Sequence, residues 1–167
     1  MAEFYKLYMQ KESDGSQIVE TIADFGLYCA EIKFAPKYKA KEMTSRDWHD
    51  ENGNDEYIPE DGIKLSACDM EIKFCYKGSK FSANSVFDKF IAYLTGANGD
   101  GASMKIYCDY TKTGKSGVRF SKISDDAELV RDNDGDILVF KVEFKVNHPT
   151  SSVTPVFGED KEIKTLA

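Results

Sequence analysis

Short runs of acidic and amide residues supply the oxygen ligands that calcium prefers. Asp50, Asn52 and Asn54 alternate as the ligands do at the start of an EF-hand loop. That loop also needs glycine at its sixth position, where Asp55 stands, and a helix leading into it. A similar alternation on a tight turn consists of Asp132, Asp134 and Asp136. We expect solvated acidic loops at both places, with weak calcium binding as the alternative, and we predict no metal site.

Residues 113–116 have the sequence TGKS, which matches the end of a phosphate-binding P-loop. A P-loop also needs a glycine five residues before Gly114, where this chain has Asp109. It further needs a strand that leads into a helix, so that backbone N–H groups at the helix start can hold phosphate. Strand-like segments flank TGKS on both sides, and we therefore expect a hairpin loop.

The cysteine and histidine residues lack the clustering of a zinc site. The four cysteines lie at positions 29, 68, 75 and 108, without a CxxC pair, and we expect free, buried thiols in a reducing compartment. His49 lies in an acidic segment and His148 beside Pro149, with no nucleophile elbow near either. The sequence therefore singles out no catalytic or cofactor-binding residue, and we expect a protein that is not an enzyme and needs no cofactor.

Composition limits the remaining classes of function. A chain of 167 residues is long enough for one well-buried domain. Its net charge of -7 argues against a protein that binds the phosphate backbone of nucleic acids, which would need a basic face. No apolar run is long enough to span a membrane, and residues 1–10 lack the basic and apolar regions of a signal peptide. We therefore expect no membrane partner and synthesis in the cytosol.

A long polar connection, residues 37–62, contains the chain's only tryptophan. Residues 47–62 carry seven carboxylates and no lysine or arginine. Large apolar side chains stand among these charges, and buried aromatic groups within a polar rim are typical interface anchors. We predict that this segment and the C-terminal tail contact a neighbouring subunit, through Trp48, Tyr57, Ile58, Asp50, Asp55, Val153, Val156 and Phe157. The alternative is that the apolar groups fold back over the domain's own core.

Two kinds of periodicity predict the elements that hold this connection in place. Met70, Ile72 and Phe74 alternate with polar residues, as does the stretch from Leu138 to Val146, and both patterns predict strands. Residues 82–95 have the three- and four-residue spacing of an amphipathic helix. We predict a mainly β (α+β) fold, an antiparallel β-barrel or sandwich with one packed helix at about 82–95. Residues 1–149 would form this domain and residues 150–167 a C-terminal extension.

The order of these segments resembles that of small tail proteins of long-tailed bacteriophages. Three stretches are similar to the central strand, single helix and closing strand of distal tail proteins, whose fold is shared with tail-tube proteins. They are residues 69–78 (DMEIKFCYKG), 87–94 (FDKFIAYL) and 140–149 (FKVEFKVNHP). Residues 47–59 further resemble uncharacterised proteins of Bacteroides-type phages and prophages.

This resemblance implies a structural protein of the virion tail, assembled in the cytoplasm of the bacterial host. Such proteins usually form hexameric homo-oligomeric rings or tubes, bound to other tail proteins, through which DNA passes without specific binding. An acidic chain suits this role, because a lumen that repels phosphate lets DNA slide. The alternatives are a head–tail joining or tail completion protein and a stand-alone ligand-binding β-barrel of cellular origin.

Overall fold

The computed structural model describes residues 6–13, 16–33, 37–97, 99, 101–124, 127–156 and 162–165. The helices in these residues are α1 (Thr21–Phe25) and α2 (Ala83–Thr95). The strands are β1 (Leu7–Lys11), β2 (Val19–Glu20), β3 (Leu27–Lys33), β4 (Ser45–Arg46), β5 (Asp55–Glu56), β6 (Cys68–Gly78), β7 (Met104–Cys108), β8 (Thr113–Ile123), β9 (Glu128–Asp132), β10 (Gly135–His148), β11 (Val153–Val156) and β12 (Glu162–Thr165).

One antiparallel sheet contains most of these strands, in the order β2-β1-β7-β8-β10-β6-β3, with β9 also paired to β10. The sheet curls into a half-barrel. Strand β10 is central, because it pairs with β6 along one side and with β9 and then β8 along the other. The predicted mainly β, antiparallel fold with a packed helix is therefore confirmed.

The predicted helix is found as α2, which ends at Gly96. Gly96 adopts a left-handed conformation with φ 78°, and its N–H donates to the last turn of the helix, as glycine commonly does at a helix end. A second, shorter helix, α1, occupies a segment whose pattern is too brief to show helical periodicity. It likewise stops at a left-handed glycine, Gly26.

The hydrophobic core lies between α2 and one face of the sheet. Alternate residues of β6 and β10 are buried, as the period-two patterns predict. On the helix, the Phe90 ring lies 5.1 Å from that of Phe74, edge to face, and 6.1 Å from that of Phe140. Phe87 meets Phe140 at 4.9 Å in the same geometry. Such aromatic pairs contribute about 0.5–1.5 kcal/mol each beyond the area they bury.

A buried charge complements each end of α2. Asp136 on β10 is fully buried and accepts a hydrogen bond from the backbone N–H of Ala83 at 3.3 Å. At the other end, the Lys11 ammonium group donates to the carbonyls of Tyr93 and Leu94. Because a helix has positive character at its start and negative character at its end, both contacts fix α2 on the sheet.

The expected hairpin loop at residues 113–116 is wrong. These residues belong to β8, and the turn before them ends at Lys112. A glycine is needed at position 114 for packing rather than for a turn, because a Cβ there would lie 2.5 Å from the Val153 side chain. Position 114 is therefore a glycine because β11 packs closely against it, although the sequence alone suggests a loop there.

Candidate assembly surface

Residues 37–66 form an extended arm between β3 and β6, which we call the acidic arm. Its two halves run antiparallel from the base outwards. At the base, Ala40 forms a bridge with Leu65, and the Lys41 N–H donates to the carbonyl of Lys64 at 2.9 Å. Further out, the Tyr57 N–H donates to the carbonyl of Thr44 at 2.8 Å. The predicted polar connection is therefore an ordered ribbon.

The outer end of the acidic arm is held by strands β4 and β5 and by Trp48. The Trp48 indole N–H donates to the Asp55 carboxylate at 3.1 Å. The Arg46 guanidinium group lies over the Trp48 ring, 5.6 Å from its centroid, within the range of a cation–π contact. These contacts fix the tryptophan by its polar edge and one ring face, and leave 45% of the residue exposed.

The apolar residues of the acidic arm do not fold back over the core. Tyr57 is 68% exposed and Ile58 57% exposed, and Asp50 and Asp55 are exposed as well. Within residues 37–64, Met43 and Pro59 are less exposed than all the others. A two-stranded ribbon of this kind is marginal in water, because it has no apolar face of its own to bury. The residues proposed as anchors are thus available to a second molecule.

Charge is unevenly distributed along the acidic arm. The outer part, residues 47–62, contains all seven carboxylates named above and no cation. The base carries the cations Lys37, Lys39, Lys41 and Lys64. At the boundary, Lys64 pairs with Asp61 at 3.0 Å. The outer arm therefore presents apolar side chains among carboxylates, with the Arg46 guanidinium group stacked on the Trp48 ring.

Lys115 joins the base of the acidic arm to the end of the sheet. Its side chain is 7% exposed, and the ammonium group donates to the carbonyls of Pro149 at 2.9 Å and Ser151 at 3.0 Å. The same group lies 3.4 Å from the hydroxyl of Tyr38 in the arm. One buried cation thus fastens the arm, β8 and the start of the C-terminal extension together.

The C-terminal extension begins on the domain itself. Val153, proposed above as an interface residue, is 2% exposed and packs beside Tyr107, with Tyr8 and Ile18 around it. Its side chain therefore offers no surface to a neighbour in this conformation. The Val156 backbone pairs with Glu162 in the hairpin β11–β12. The side chain of Val156 and all of Phe157 lie outside the described residues.

The acidic motif at Asp132, Asp134 and Asp136 has structural roles. The Asp132 carboxylate accepts the N–H groups of Asp134 and Gly135 in the β9–β10 turn. Arg131 donates to Asp136 at 2.7 Å, and this holds the pKa of Asp136 below its ordinary value. Across the described residues, no group of three histidine, cysteine or acidic side chains is placed to hold a metal ion.

One serine–histidine pair comes within hydrogen-bond distance. Ser116 Oγ lies 3.3 Å from His148 Nδ1, and the two residues are cross-strand partners in β8 and β10. A catalytic pair needs a third group to orient the imidazole ring and an accessible hydroxyl. Ser116 is buried, however, and its N–H is taken by the Ser151 hydroxyl. We therefore interpret the pair as a contact between neighbouring strands.

The four cysteines are free thiols, and they lie in three strands, with Cys29 in β3, Cys68 and Cys75 in β6, and Cys108 in β7. Three are buried: Cys29, Cys68 and Cys108. Burial raises the pKa of Cys29 to about 12, so this thiol stays protonated at neutral pH. Cys75 differs, because it lies on the opposite face of β6 and is partly exposed.

A scan of known protein families gives no match to this chain, and neither does a search of curated proteins. No helix in the described residues is both long and apolar enough to cross a membrane.

Two buried polar contacts, one at the base of the acidic arm and one at the start of α2, were not predictable from the sequence. Lysine usually lies on the surface, and only the small neighbours Gly114 and Ser116 indicate that Lys115 could be buried. The turn before Asp136 accounts for the acidic residues Asp132 and Asp134. Nothing in the local sequence shows that Asp136 contacts the start of a helix 53 residues away. The exposed apolar residues of the arm were identifiable because a tryptophan and an isoleucine are unusual among so many charges.

Proposed function

We propose that this protein is a structural subunit of a phage tail or a similar particle, which assembles with copies of itself into a ring or tube. The acidic arm makes the contact with the neighbouring subunit. DNA passes through the assembled channel without specific binding. The genes on either side of this one would show its position along the tail, whether distal ring, tube or neck.

The observation that carries this proposal is the exposure of Trp48, Tyr57 and Ile58 on an ordered arm. An ordered ribbon that leaves its large apolar groups in water is unfavourable for an isolated chain. Aromatic anchors surrounded by charge are, in contrast, typical of the centre and rim of a protein interface. The arm therefore has the composition and the exposure that subunit contact requires.

The fold and the charge of the chain support the same proposal. A curled antiparallel sheet with a helix on one face is the architecture that the resemblance to tail proteins implies. The open strand edges of such a sheet are commonly covered when subunits associate. A net charge of -7 suits a channel wall that repels the phosphates of passing DNA.

Negative-stain electron microscopy of the full chain, purified at high concentration, tests the proposal. We expect rings or short tubes with a central channel. Particles with no defined shape, or a strictly monomeric species, would contradict it. Genes for tail-tube, tape-measure or tail-fibre proteins on either side of this gene would separately support the assignment to a phage tail.

A further inference from the structure

Three lysine residues share one face at the base of the acidic arm. The Lys41 N–H donates to the carbonyl of Lys64, and the Ser66 N–H donates to the carbonyl of Lys39. This antiparallel register places Lys41 directly opposite Lys64, and Lys39 two residues before Lys41 on the same strand. Opposite residues, and residues two apart, point to the same face of a strand pair. We call the three exposed residues Lys39, Lys41 and Lys64 the lysine face.

The lysine face carries more positive charge than its neighbours neutralise. Lys64 pairs with Asp61 at 3.0 Å, whereas Lys39 and Lys41 make no ion pair with any of the described residues. Glu42 follows Lys41 directly along the strand, and its side chain therefore belongs to the opposite face. Like charges directly opposite each other destabilise a strand pair. An anion bound across Lys41 and Lys64 would relieve that repulsion.

The far end of the acidic arm has the opposite charge. Residues 47–56, which we call the arm tip, contain five carboxylates and no lysine or arginine. Asp55 accepts the Trp48 N–H, and Arg46, just before the tip, lies over the Trp48 ring. The other four carboxylates are exposed and make no ion pair with described residues: Asp47, Asp50, Glu51 and Glu56. The tip therefore keeps a surplus of negative charge.

Exposed apolar side chains accompany both charged regions. Tyr38 is 55% and Ile63 53% exposed at the base, and Tyr57 and Ile58 stand in water further out. Of the nine large apolar side chains that are exposed among the described residues, five belong to the acidic arm. Contact between a tip and a base would bury apolar surface while it brings carboxylates to lysine residues.

The ribbon keeps the tip and the base of one arm apart. Six residues of ribbon separate Ala40, at the base, from Arg46 in β4, which is about 20 Å at roughly 3.3 Å per residue. Charges in water are largely screened beyond about 8–10 Å at physiological salt. The tip therefore cannot neutralise the lysine face of its own arm, whereas the tip of a second copy can reach it. Nucleic acid is a poorer candidate for the anion, because the chain has a net charge of -7.

We propose that the arm tip of one subunit binds the lysine face of the next. This inference rests on the proposed function and names the surface that receives the arm. The tip and the lysine face are different surfaces, so the contact is heterologous, and each subunit both gives a tip and receives one. Repetition of such a contact closes into a ring or continues as a helical tube.

Reversal of charge at each end tests this contact. The tip variant is Asp50→Lys/Glu51→Lys and the base variant is Lys39→Glu/Lys41→Glu. We expect each variant alone to assemble roughly tenfold or more weakly than the wild type, as measured by light scattering against concentration, because like charges would then face each other.

Recovery of assembly identifies the partner of each surface. In an equimolar mixture of the two variants, each tip can again meet a base of opposite charge, so we expect assembly to return to the wild-type level. A single chain with all four substitutions should likewise assemble. Failure of both samples to recover, at melting temperatures equal to that of the wild type, would overturn the inference.

A matched control separates the lysine face from the net charge of the chain. Lys77→Glu/Lys80→Glu makes the same change in charge at exposed positions near the other end of β6. We expect this variant to assemble as the wild type does. A loss equal to that of the base variant would overturn the assignment, since net charge alone would then be responsible.

Two further outcomes would assign the lysine face differently. Fluorescently labelled double-stranded DNA should bind neither the wild type nor the base variant at physiological salt. Binding to the wild type that the base variant loses would assign the face to nucleic acid and overturn the inference. A wild-type species that stops at two chains would show a reciprocal pair of arms and overturn the head-to-tail contact.

The wild-type protein distinguishes failure of this inference from failure of the proposed function. If the wild type forms rings and both charge reversals leave them unchanged, the tip-to-base contact is wrong while the proposed function stands. A wild-type protein that never assembles would overturn both.

Discussion

The core of the sheet and the acidic arm place their large apolar residues in opposite ways. Phe74, Phe90 and Phe140 are almost fully buried between α2 and the sheet. Tyr57 and Ile58 stand largely in water, on a ribbon held by backbone hydrogen bonds and by the contacts of Trp48 with Asp55 and Arg46. Hydrophobic side chains in the first region stabilise the fold of one chain. Those in the second remain in water in a single chain, which is why we propose that the arm serves assembly.

Removal of an aromatic ring from the core should have the largest effect on stability. We expect Phe90→Ala to lower the free energy of unfolding by about 3–5 kcal/mol, because it leaves a cavity between α2 and the sheet. The matched arm substitution, Tyr57→Ala, should change it by no more than about 0.5 kcal/mol, as is usual for exposed sites. Urea unfolding of the two variants at a protein concentration that keeps them monomeric compares them directly. A similar loss in both would show that the arm belongs to the core.

The buried contact at the start of α2 should give a smaller effect that depends on pH. Arg131 beside Asp136, with help from the Ala83 N–H, lowers the pKa of this carboxyl group. Its contribution to stability is therefore present above the pKa of the unfolded chain, and is lost as pH falls through the lower pKa of the folded state.

We expect Asp136→Asn to lower the melting temperature at pH 7, with a difference from the wild type that shrinks as the solution is acidified. Asp134→Asn, in the exposed turn two residues earlier, should leave the melting temperature unchanged and serves as the control. A difference for Asp136→Asn that stays constant down to low pH would show that the ionised carboxylate is not the stabilising group.

Loss of the Lys115 contacts should destabilise the base of the arm and leave the core unaffected. In Lys115→Met the carbonyls of Pro149 and Ser151 lose a charged donor, which costs about 1–3 kcal/mol where no water replaces it. We expect faster amide hydrogen exchange at the base of the arm and at the start of β11, with unchanged exchange in β6 and β10. Uniform acceleration throughout the sheet would show that Lys115 supports the core instead.

Sequence patterns predicted the core because its periodicities are long. Strands β6 and β10 and helix α2 each repeat one pattern several times. The helix has the predicted bounds to within a residue, and both strands extend beyond the alternation that predicted them, with β10 beginning at Gly135 rather than Leu138. The short elements α1, β4 and β5 are too brief to carry a period. Residues 113–116 were misassigned because a glycine that permits close packing looks locally identical to one that permits a turn.

The candidate site was predictable in composition but not in geometry. The unusual mixture of Trp48, Tyr57 and Ile58 with carboxylates marks the arm in the sequence. Lys115 and Asp136 depend on partners distant in the chain, and local patterns contain no information about those distances.

Light scattering of the wild-type protein beside an arm variant, Trp48→Ala/Tyr57→Ala/Ile58→Ala, at equal high concentration tests most directly whether the arm serves assembly. We expect the wild type to have a mass several times 18.8 kDa, and the arm variant to have the mass of a single chain with an unchanged melting temperature. Tyr110→Ala removes an exposed aromatic residue outside the arm and should assemble normally. Equal masses for the wild type and the arm variant would contradict the assignment.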